Sequence, residues 1–148
     1  MKISVKGRYA LAAMTHMSAN YDNGEYITVV SISERLGISK IYLEQVFSLL
    51  KRGGLLESIK GAKGGYKLAR QPKHITAEDV LFTAEPSIFE EPSSATLVKA
   101  PEIDRAMQKI IFDALDVRIK ETLRAITLED LVLESEKQND SDGIMFFI

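Results

Sequence analysis

The sequence between Ile32 and Ala69 reads ISERLGISKIYLEQVFSLLKRGGLLESIKGAKGGYKLA, and this stretch decides the fold. Gly37 stands between two helical segments, where the chain must turn sharply and glycine tolerates the positive φ that such a turn requires. Ser39 follows it and offers a side-chain oxygen that can cap the next helix. The order of helix, glycine turn and capped helix predicts a helix-turn-helix.

The second helix of this motif is amphipathic and is followed by a hairpin. Its apolar residues recur with the i, i+3, i+4, i+7 spacing of one helix face, at Leu43, Val46, Phe47 and Leu50. Gly53 and Gly54 end the helix, and the strand-like segments 55–59 and 66–68 flank a basic, glycine-rich tip. Each element is common by itself, but their consecutive order predicts a winged helix-turn-helix, whose second helix enters a groove of DNA.

Several short segments extend the pattern along the chain. They are MKIS at 1–4, KGRYA at 6–10, ISER at 32–35, YLEQ at 42–45, Gly61, and GGY at 64–66. On these residues the chain resembles the Rrf2 family of bacterial winged-helix transcription regulators, of the IscR and CymR type. The later segments similar to the CymR branch are ITAED at 75–79, TLEDL at 127–131 and MFFI at 145–148. The resemblance implies a mainly α fold with a small β wing (α+β), in which a long C-terminal dimerisation helix follows the winged helix-turn-helix domain.

Four residues near the start of the second helix are candidates for reading bases, because the first turns of a recognition helix lie deepest in the groove. They are Lys40, Ile41, Glu44 and Gln45. Gln45 can pair with adenine, and Ile41 either meets a thymine methyl or is a neutral exposed residue. Phosphates would repel Glu44 unless it accepts a hydrogen bond from cytosine N4. Pairing of Glu44 with Lys40 is the alternative, and the family resemblance favours base reading.

The remaining candidate DNA contacts lie on the wing and on both helices. Lys60 and Lys63 would lie beside or in the minor groove, where the wing glycines let the backbone approach closely. Lys6, Arg8 and Lys51 are candidates for phosphate contacts, whereas Tyr42 contacts the DNA backbone or packs. The complete predicted set is Lys6, Arg8, Ser39, Lys40, Ile41, Tyr42, Glu44, Gln45, Lys51, Lys60, Lys63, Gly64 and Gly65.

The charge is distributed unevenly along the chain. Residues 1–73 contain 12 Lys and Arg against 5 Asp and Glu, whereas residues 74–148 contain 7 against 16, which leaves a net charge of −2. The basic half is the half with the helix-turn-helix. Such a field attracts a polyanion to one end through phosphate neutralisation, and it keeps the other end away from the duplex.

Other helices are predicted on both sides of the motif. A first helix runs from about Val5 to Asn20, and Thr28 or Ser31 caps the short helix that ends near Leu36. Thr76, with Asp79 three residues later, begins a helix over residues 77–84. Prolines and a polar composition predict an irregular linker between residues 86 and 101.

A long amphipathic helix is predicted from Glu102 to about Ala125. Its apolar stripe consists of Ile103, Met107, Ile110, Ile111, Ala114, Leu115 and Val117. The resemblance implies that this stripe is the dimer interface with a partner chain, and the alternative is that the helix folds back on its own domain. A twofold dimer would place two recognition helices about 34 Å apart and require a near-palindromic operator.

The end of the chain is predicted to contain a short helix capped by Thr127, a polar stretch over residues 137–143 and an apolar tail. We divide the chain into a winged helix-turn-helix domain over 1–85, a linker over 86–101 and a dimerisation segment over 102–148.

Metal and cofactor sites are not expected. The sequence contains no cysteine, so it cannot supply the thiolates that hold an iron–sulfur cluster in IscR-like members or form a disulfide. His16 and His74 lack neighbours at metal-ligand spacing. The sequence leaves open which signal the regulator senses. Four residues of the linker could line a pocket for a small-molecule effector or simply pack against the dimer helix: Ile88, Phe89, Leu97 and Val98. The acidic half could instead dock a regulatory enzyme, as the CymR resemblance implies.

The sequence therefore predicts a homodimeric, sequence-specific DNA-binding transcription regulator. A repressor is expected, because a dimer seated over a promoter blocks polymerase. No nucleophile set, phosphate loop or partnered acid–base pair predicts an enzyme. The chain shows neither a membrane span nor a secretory signal, so a cytoplasmic location is expected. The alternative is a protein-interaction module of the same fold that binds a regulatory enzyme, with DNA binding secondary or lost.

Overall fold

The computed structural model describes residues 3–61, 64–90 and 94–147. Its helices are α1 Val5–Ala19, α2 Val29–Leu36, α3 Lys40–Arg52, α4 Ala77–Ala84, α5 Ala95–Lys99, α6 Pro101–Met107, α7 Asp113–Arg124 and α8 Leu128–Phe147. Two antiparallel strands, β1 Leu56–Ile59 and β2 Gly65–Leu68, pair with Leu56 opposite Leu68. The mainly helical fold with a small β wing is thus confirmed.

The turn between α2 and α3 has the predicted geometry. Gly37 ends α2 with a φ of 69°, and the Ser39 side chain caps α3 by accepting a hydrogen bond from the Tyr42 backbone N–H at 3.2 Å. Ser33 Oγ donates to the Ile38 carbonyl at 2.6 Å, which satisfies a backbone acceptor inside the turn. Of the two residues predicted to cap α2, Thr28 does so.

The core lies between α1, the two helices of the motif, the base of the wing and α4. All four apolar residues predicted for the inner face of α3 are buried: Leu43, Val46, Phe47 and Leu50. Gly7 lets α1 approach α4 closely, since a Cβ there would lie 3.0 Å from Leu81 Cδ2. The core fixes the orientation of α3, whose opposite face remains exposed.

The start of α8 is anchored in this same core. Leu128 is completely buried, and its backbone N–H donates to the Ile75 carbonyl at 2.9 Å. The Ala77 N–H donates to the Ile126 carbonyl at 2.8 Å on the same short ladder. Residues before and after the long helix therefore meet, and the end of the chain is attached to the N-terminal unit.

The segment predicted as an irregular linker is largely helical. A single 3₁₀ turn covers Pro86–Phe89, and α5 covers Ala95–Lys99, with the Ser94 side chain as its cap. Pro86 and Pro101 lie at the first positions of helical turns, where a backbone N–H has no helical partner to lose. The prolines mark helix starts here, so the prediction from composition was wrong. Residues 91–93 of the linker lie outside the described residues.

The final helix is longer than predicted. α8 has 20 residues and continues through the polar stretch 137–143 to Phe147. Thr127 and Asp130 each accept the other's backbone N–H, so the predicted cap is present. The polar stretch does not end the helix, although five of its seven residues, Asn139, Asp140, Ser141, Asp142 and Gly143, are weak helix formers. Gln138 bonds Glu134 one turn earlier at 2.8 Å, which supports the start of the stretch.

The long helical stretch between residues 101 and 124 is interrupted by one π-helical turn. α6 ends at Met107, the turn Gln108–Phe112 is π-helical, and α7 begins at Asp113. A helix was predicted here, but the periodicity of the sequence gave no sign of the inserted turn. None of the helices in the described ranges is both long and apolar enough to span a membrane.

Candidate nucleic-acid interface

The outer face of α3 forms an exposed, continuous surface. Ile41, Glu44 and Gln45 are exposed, and 71% of the Ile41 surface is accessible. The residues that border one shallow depression on this face are Ile41, Glu44, Gln45, Ser48, Leu49 and Arg52. Three of the predicted base readers are therefore brought together on one surface.

Ser48 and Arg52 belong to this depression but were not selected as site residues. They follow Glu44 at intervals of four residues, so they extend the same row along the helix. Both residues lie on the exposed face of α3, opposite the buried residues Leu43 and Phe47, so the helical periodicity of the sequence carried this signal.

Glu44 is held only weakly in the free protein. Its Oε1 atom lies 3.9 Å from Lys40 Nζ, and both side chains are more than half exposed. Exposed ion pairs of this kind contribute at most about 1 kcal/mol to the free energy of unfolding. The intrahelical pair predicted as the alternative role of Glu44 exists, but at this energy it leaves the carboxylate available to a stronger donor.

Two other predicted residues have structural contacts. The Tyr42 ring meets the Tyr9 ring edge-on, with 5.4 Å between centroids, so Tyr42 packs, as one of its two predicted roles required. Ser39 uses its hydroxyl as the cap of α3. Both residues position the recognition helix whatever else they contact.

The wing is attached to the chain that precedes α2. Ile27 and Tyr66 exchange backbone hydrogen bonds, each of 2.8 Å. Gly65 has a φ of 152°, and a Cβ at this position would lie 2.4 Å from the Ile27 carbonyl oxygen. A Cβ on Gly64 would lie 2.4 Å from the Ile59 carbonyl oxygen. Both glycines are thus required by the wing itself, and their contact with DNA remains a prediction.

The basic candidates are distributed over three elements. Arg8 on α1, Lys51 at the end of α3 and Lys60 after β1 are exposed, whereas Lys6 is partly buried. Lys63 lies outside the described residues. The exposed cations are available to a polyanion, as the charge distribution predicts.

A second exposed surface lies on the long helical stretch. Large apolar residues there are open to solvent: Ile103, Ile110, Ile111, Phe112, Leu115 and Val117. Ile110 is 72% exposed, Ala114 is also exposed, and Met107 is partly buried. Phe112 was not among the predicted interface residues. Within the described part of the chain, no segment covers this apolar stripe fully, contrary to the alternative in which the helix folds back.

Comparison with known proteins identifies the class of this chain. A family model described as "Rrf2: Iron-dependent Transcriptional regulator" matches residues 3–134. CymR of Bacillus subtilis, an HTH-type transcriptional regulator, is 35% identical over 148 residues, which is 100% of both chains. IscR of Photorhabdus laumondii, also an HTH-type transcriptional regulator, is 36% identical over 140 residues, covering 92% of this chain and 82% of that protein.

Structural comparison agrees with the sequence relationships. The solved structure of B. subtilis CymR, described as the global cysteine regulator, superposes with a TM-score of 0.73 at 32% identity. The match covers 90% of this chain and 98% of that one. The relationship therefore extends beyond the helix-turn-helix to the C-terminal half.

The family description mentions iron, and the residues present do not fit a cysteine-ligated iron–sulfur cluster. The chain has no cysteine. In the described part of the chain, no three His, Asp or Glu side chains are grouped so that they could hold one metal ion. The chain belongs to the Rrf2 family, and it is a DNA-binding transcription regulator rather than an enzyme.

Proposed function

We propose that two copies of this chain form a homodimer that binds a near-palindromic operator and represses transcription by occupying the promoter. The observation that carries the proposal is the uncovered apolar stripe on residues 101–124. Contiguous apolar surface of this kind marks an interaction site. A second copy of the same stripe is its self-complementary partner in a twofold dimer.

Each protomer would then present its α3 to one half-site. Two such helices about 34 Å apart enter successive major grooves on one side of the duplex. Glu44 would exchange its weak pair with Lys40 for the N4 donor of a cytosine. Gln45 would pair with adenine, Lys60 would contact the backbone beside the minor groove, and Arg8 and Lys51 would neutralise phosphates. Such a regulator works where bacterial promoters are, in the cytoplasm.

Selection of binding sites from random duplexes tests this function. We expect the wild-type protein to enrich a palindromic sequence, and Glu44→Ala to relax the preference at one base step in each half-site, by about 1–3 kcal/mol. Glu136→Ala, which removes an exposed carboxylate on α8, is the control and should leave the consensus unchanged. Selection without enrichment contradicts the proposed function, and an unaltered consensus for Glu44→Ala contradicts the role of that residue.

A second function, docking of a regulatory enzyme, is supported by the exposed acidic side chains of α8. They include Glu129, Glu134, Glu136, Asp140 and Asp142. This surface would bind a basic patch through charge complementarity. Absence of enrichment in the DNA selection would favour it over the primary proposal.

A further inference from the structure

A cavity of about 330 Å³ lies between the 3₁₀ turn Pro86–Phe89, α5 and the long helical stretch. Its apolar lining comes from all three elements and includes Ile88, Phe89, Leu97, Met107 and Phe112. Ligand sites occupy clefts of this size and larger, lined by apolar and aromatic side chains with a few polar groups. Val98, which the sequence also assigned to a pocket, is instead 78% exposed and does not line it.

The polar lining of the cavity is acidic. Glu90, Asp104 and Asp116 contribute three carboxylates, and no Lys, Arg or His is among the described residues that line it. Asp104 accepts a hydrogen bond from Thr96 Oγ1 at 2.8 Å. The three salt bridges found among the described residues involve other carboxylates. An anion or a zwitterion with a free carboxylate would be repelled here.

An aromatic pair beside the cavity already contacts one cation, and of the two rings only Phe89 lines the cavity. The Phe82 and Phe89 rings are stacked with 4.6 Å between centroids, and Lys120 Nζ lies 5.1 Å from the Phe89 centroid. Such contacts show that these ring faces present negative potential to their surroundings. Rings and carboxylates together form the usual chemistry for recognition of an organic cation. A bare metal ion fits less well, because these carboxylates are not grouped so that they could hold one.

The π-helical turn connects this cavity to the exposed apolar stripe. Gln108 and Phe112, the first and last residues of the turn, line the cavity, and Phe112 is also exposed on the stripe together with Ile110 and Ile111. Gln108 Nε2 donates to Asp113 Oδ1 at 2.8 Å across the turn. Single π-turns inside helices occur frequently at functional sites.

We propose that this cavity binds a small organic cation of about amino-acid size, such as an amine, a guanidinium or a quaternary ammonium compound. The bound cation contacts the carboxylates of Glu90, Asp104 and Asp116 and the ring of Phe112. Because the π-turn borders both the cavity and the stripe, occupancy changes the affinity of one copy for the other. This last step depends on the dimer of the proposed function, whereas binding of the cation does not.

Isothermal titration calorimetry of the full chain tests the ligand class. Choline and agmatine are the probes; 3,3-dimethylbutan-1-ol, which has the shape of choline without its charge, and glycine betaine, which adds a carboxylate, are the controls. We expect at least one cation to bind about tenfold or more tightly than both controls, since charge and ring contacts are lost or opposed in them. If neither cation binds more tightly than the controls, the inference is wrong.

Two variants locate the site. Asp116→Asn should weaken binding of the cation about fivefold or more, because it removes a charge from the lining with little change in shape. Asp140→Asn on the exposed face of α8 is the matched control and should bind as wild type does. Equal affinity of Asp116→Asn and wild type would place any binding outside this cavity and overturn the assignment.

Sedimentation equilibrium with and without the cation tests the connection to the dimer. We expect the dimer dissociation constant to change about fivefold or more when the site is saturated. An unchanged constant overturns the coupling. A monomeric protein that still binds the cation refutes the proposed dimer alone, and a dimer that selects a palindrome but binds no cation refutes the inference alone.

Discussion

At the scale of single residues, local rules determine the helix-turn-helix and can be applied to the sequence directly. Gly37 adopts a φ of 69°, and Ser39 caps α3, because each depends only on neighbours within four positions. Glu44 differs, since its weak pair with Lys40 reveals nothing about its partner in a complex. Sequence and structure together place this carboxylate on the exposed face of α3, and DNA selection tests its proposed contact with a base.

His16, on α1, is a residue whose environment the sequence does not reveal. Burial, and secondarily the charge of Arg35, lower the pKa of this imidazole below its ordinary value. The unfolded chain then binds a proton more readily than the folded chain does. The contribution of the neutral His16 imidazole to folding stability is therefore complete above about pH 6.5, and it is lost as the pH falls through the lowered pKa.

We expect the free energy of unfolding to fall between pH 7 and pH 5, and His16→Gln to reduce this fall. Urea denaturation at several pH values measures this fall, because the midpoint of the transition and its slope with urea concentration give the free energy of unfolding at each pH. Val30→Gln changes an exposed residue of α2 without removing a titratable group and should keep the pH dependence of the wild type. Identical pH profiles for wild type and His16→Gln would refute the assignment.

At the scale of elements, errors of prediction arise where a distant segment or a capping position decides the outcome. The prolines at 86 and 101 were interpreted as breaks, but each starts a helical turn. Gly64 and Gly65 were assigned to close approach of DNA, but their missing side chains first make room for the carbonyls of Ile59 and Ile27. The second of these neighbours is far away in sequence, so no local pattern could predict the contact.

Replacing Gly65 by alanine should destabilise the wing. Its Cβ would lie 2.4 Å from the Ile27 carbonyl oxygen, and its φ of 152° is unfavourable for a side chain. We expect a loss of about 1–3 kcal/mol in the free energy of unfolding, measured by urea denaturation.

Gly143→Ala is the control for this substitution. Gly143 lies in α8 with nothing within 4 Å of an added Cβ, so alanine there should be neutral or stabilise the chain by up to about 1 kcal/mol. A Gly65→Ala protein as stable as the wild type would mean that the wing can move away from Ile27 without cost.

At the scale of the whole molecule, charge and apolar surface are separated. The basic half carries the recognition helix, and the uncovered stripe lies in the acidic half. The sequence predicted both features, because composition and helical periodicity do not depend on tertiary contacts. It did not predict that Leu128 would anchor α8 in the N-terminal core, since burial of one leucine depends on the complete fold. This anchor ties the long helix to the DNA-binding unit at its C-terminal end.

Ile110 is the most exposed large apolar residue of the stripe, at 72%, and it should be central to association. Ile110→Glu places a carboxylate in the interface once per protomer, so twofold symmetry applies the change twice. Burying an isoleucine contributes about 1.5–3 kcal/mol. We therefore expect the dimer dissociation constant in sedimentation equilibrium to rise by a factor on the order of 100 or more. Affinity for a palindromic site should fall with it, because each protomer alone contacts only half of the site.

The control for Ile110→Glu is Val30→Glu, which makes a similar change at an exposed position on α2. Its oligomeric state should be that of the wild type, and circular dichroism should show both variants folded. If Ile110→Glu remains as dimeric as Val30→Glu, the two copies do not meet through this stripe. The connection proposed between the cavity and the dimer would then fail as well, because the π-turn would no longer border the interface.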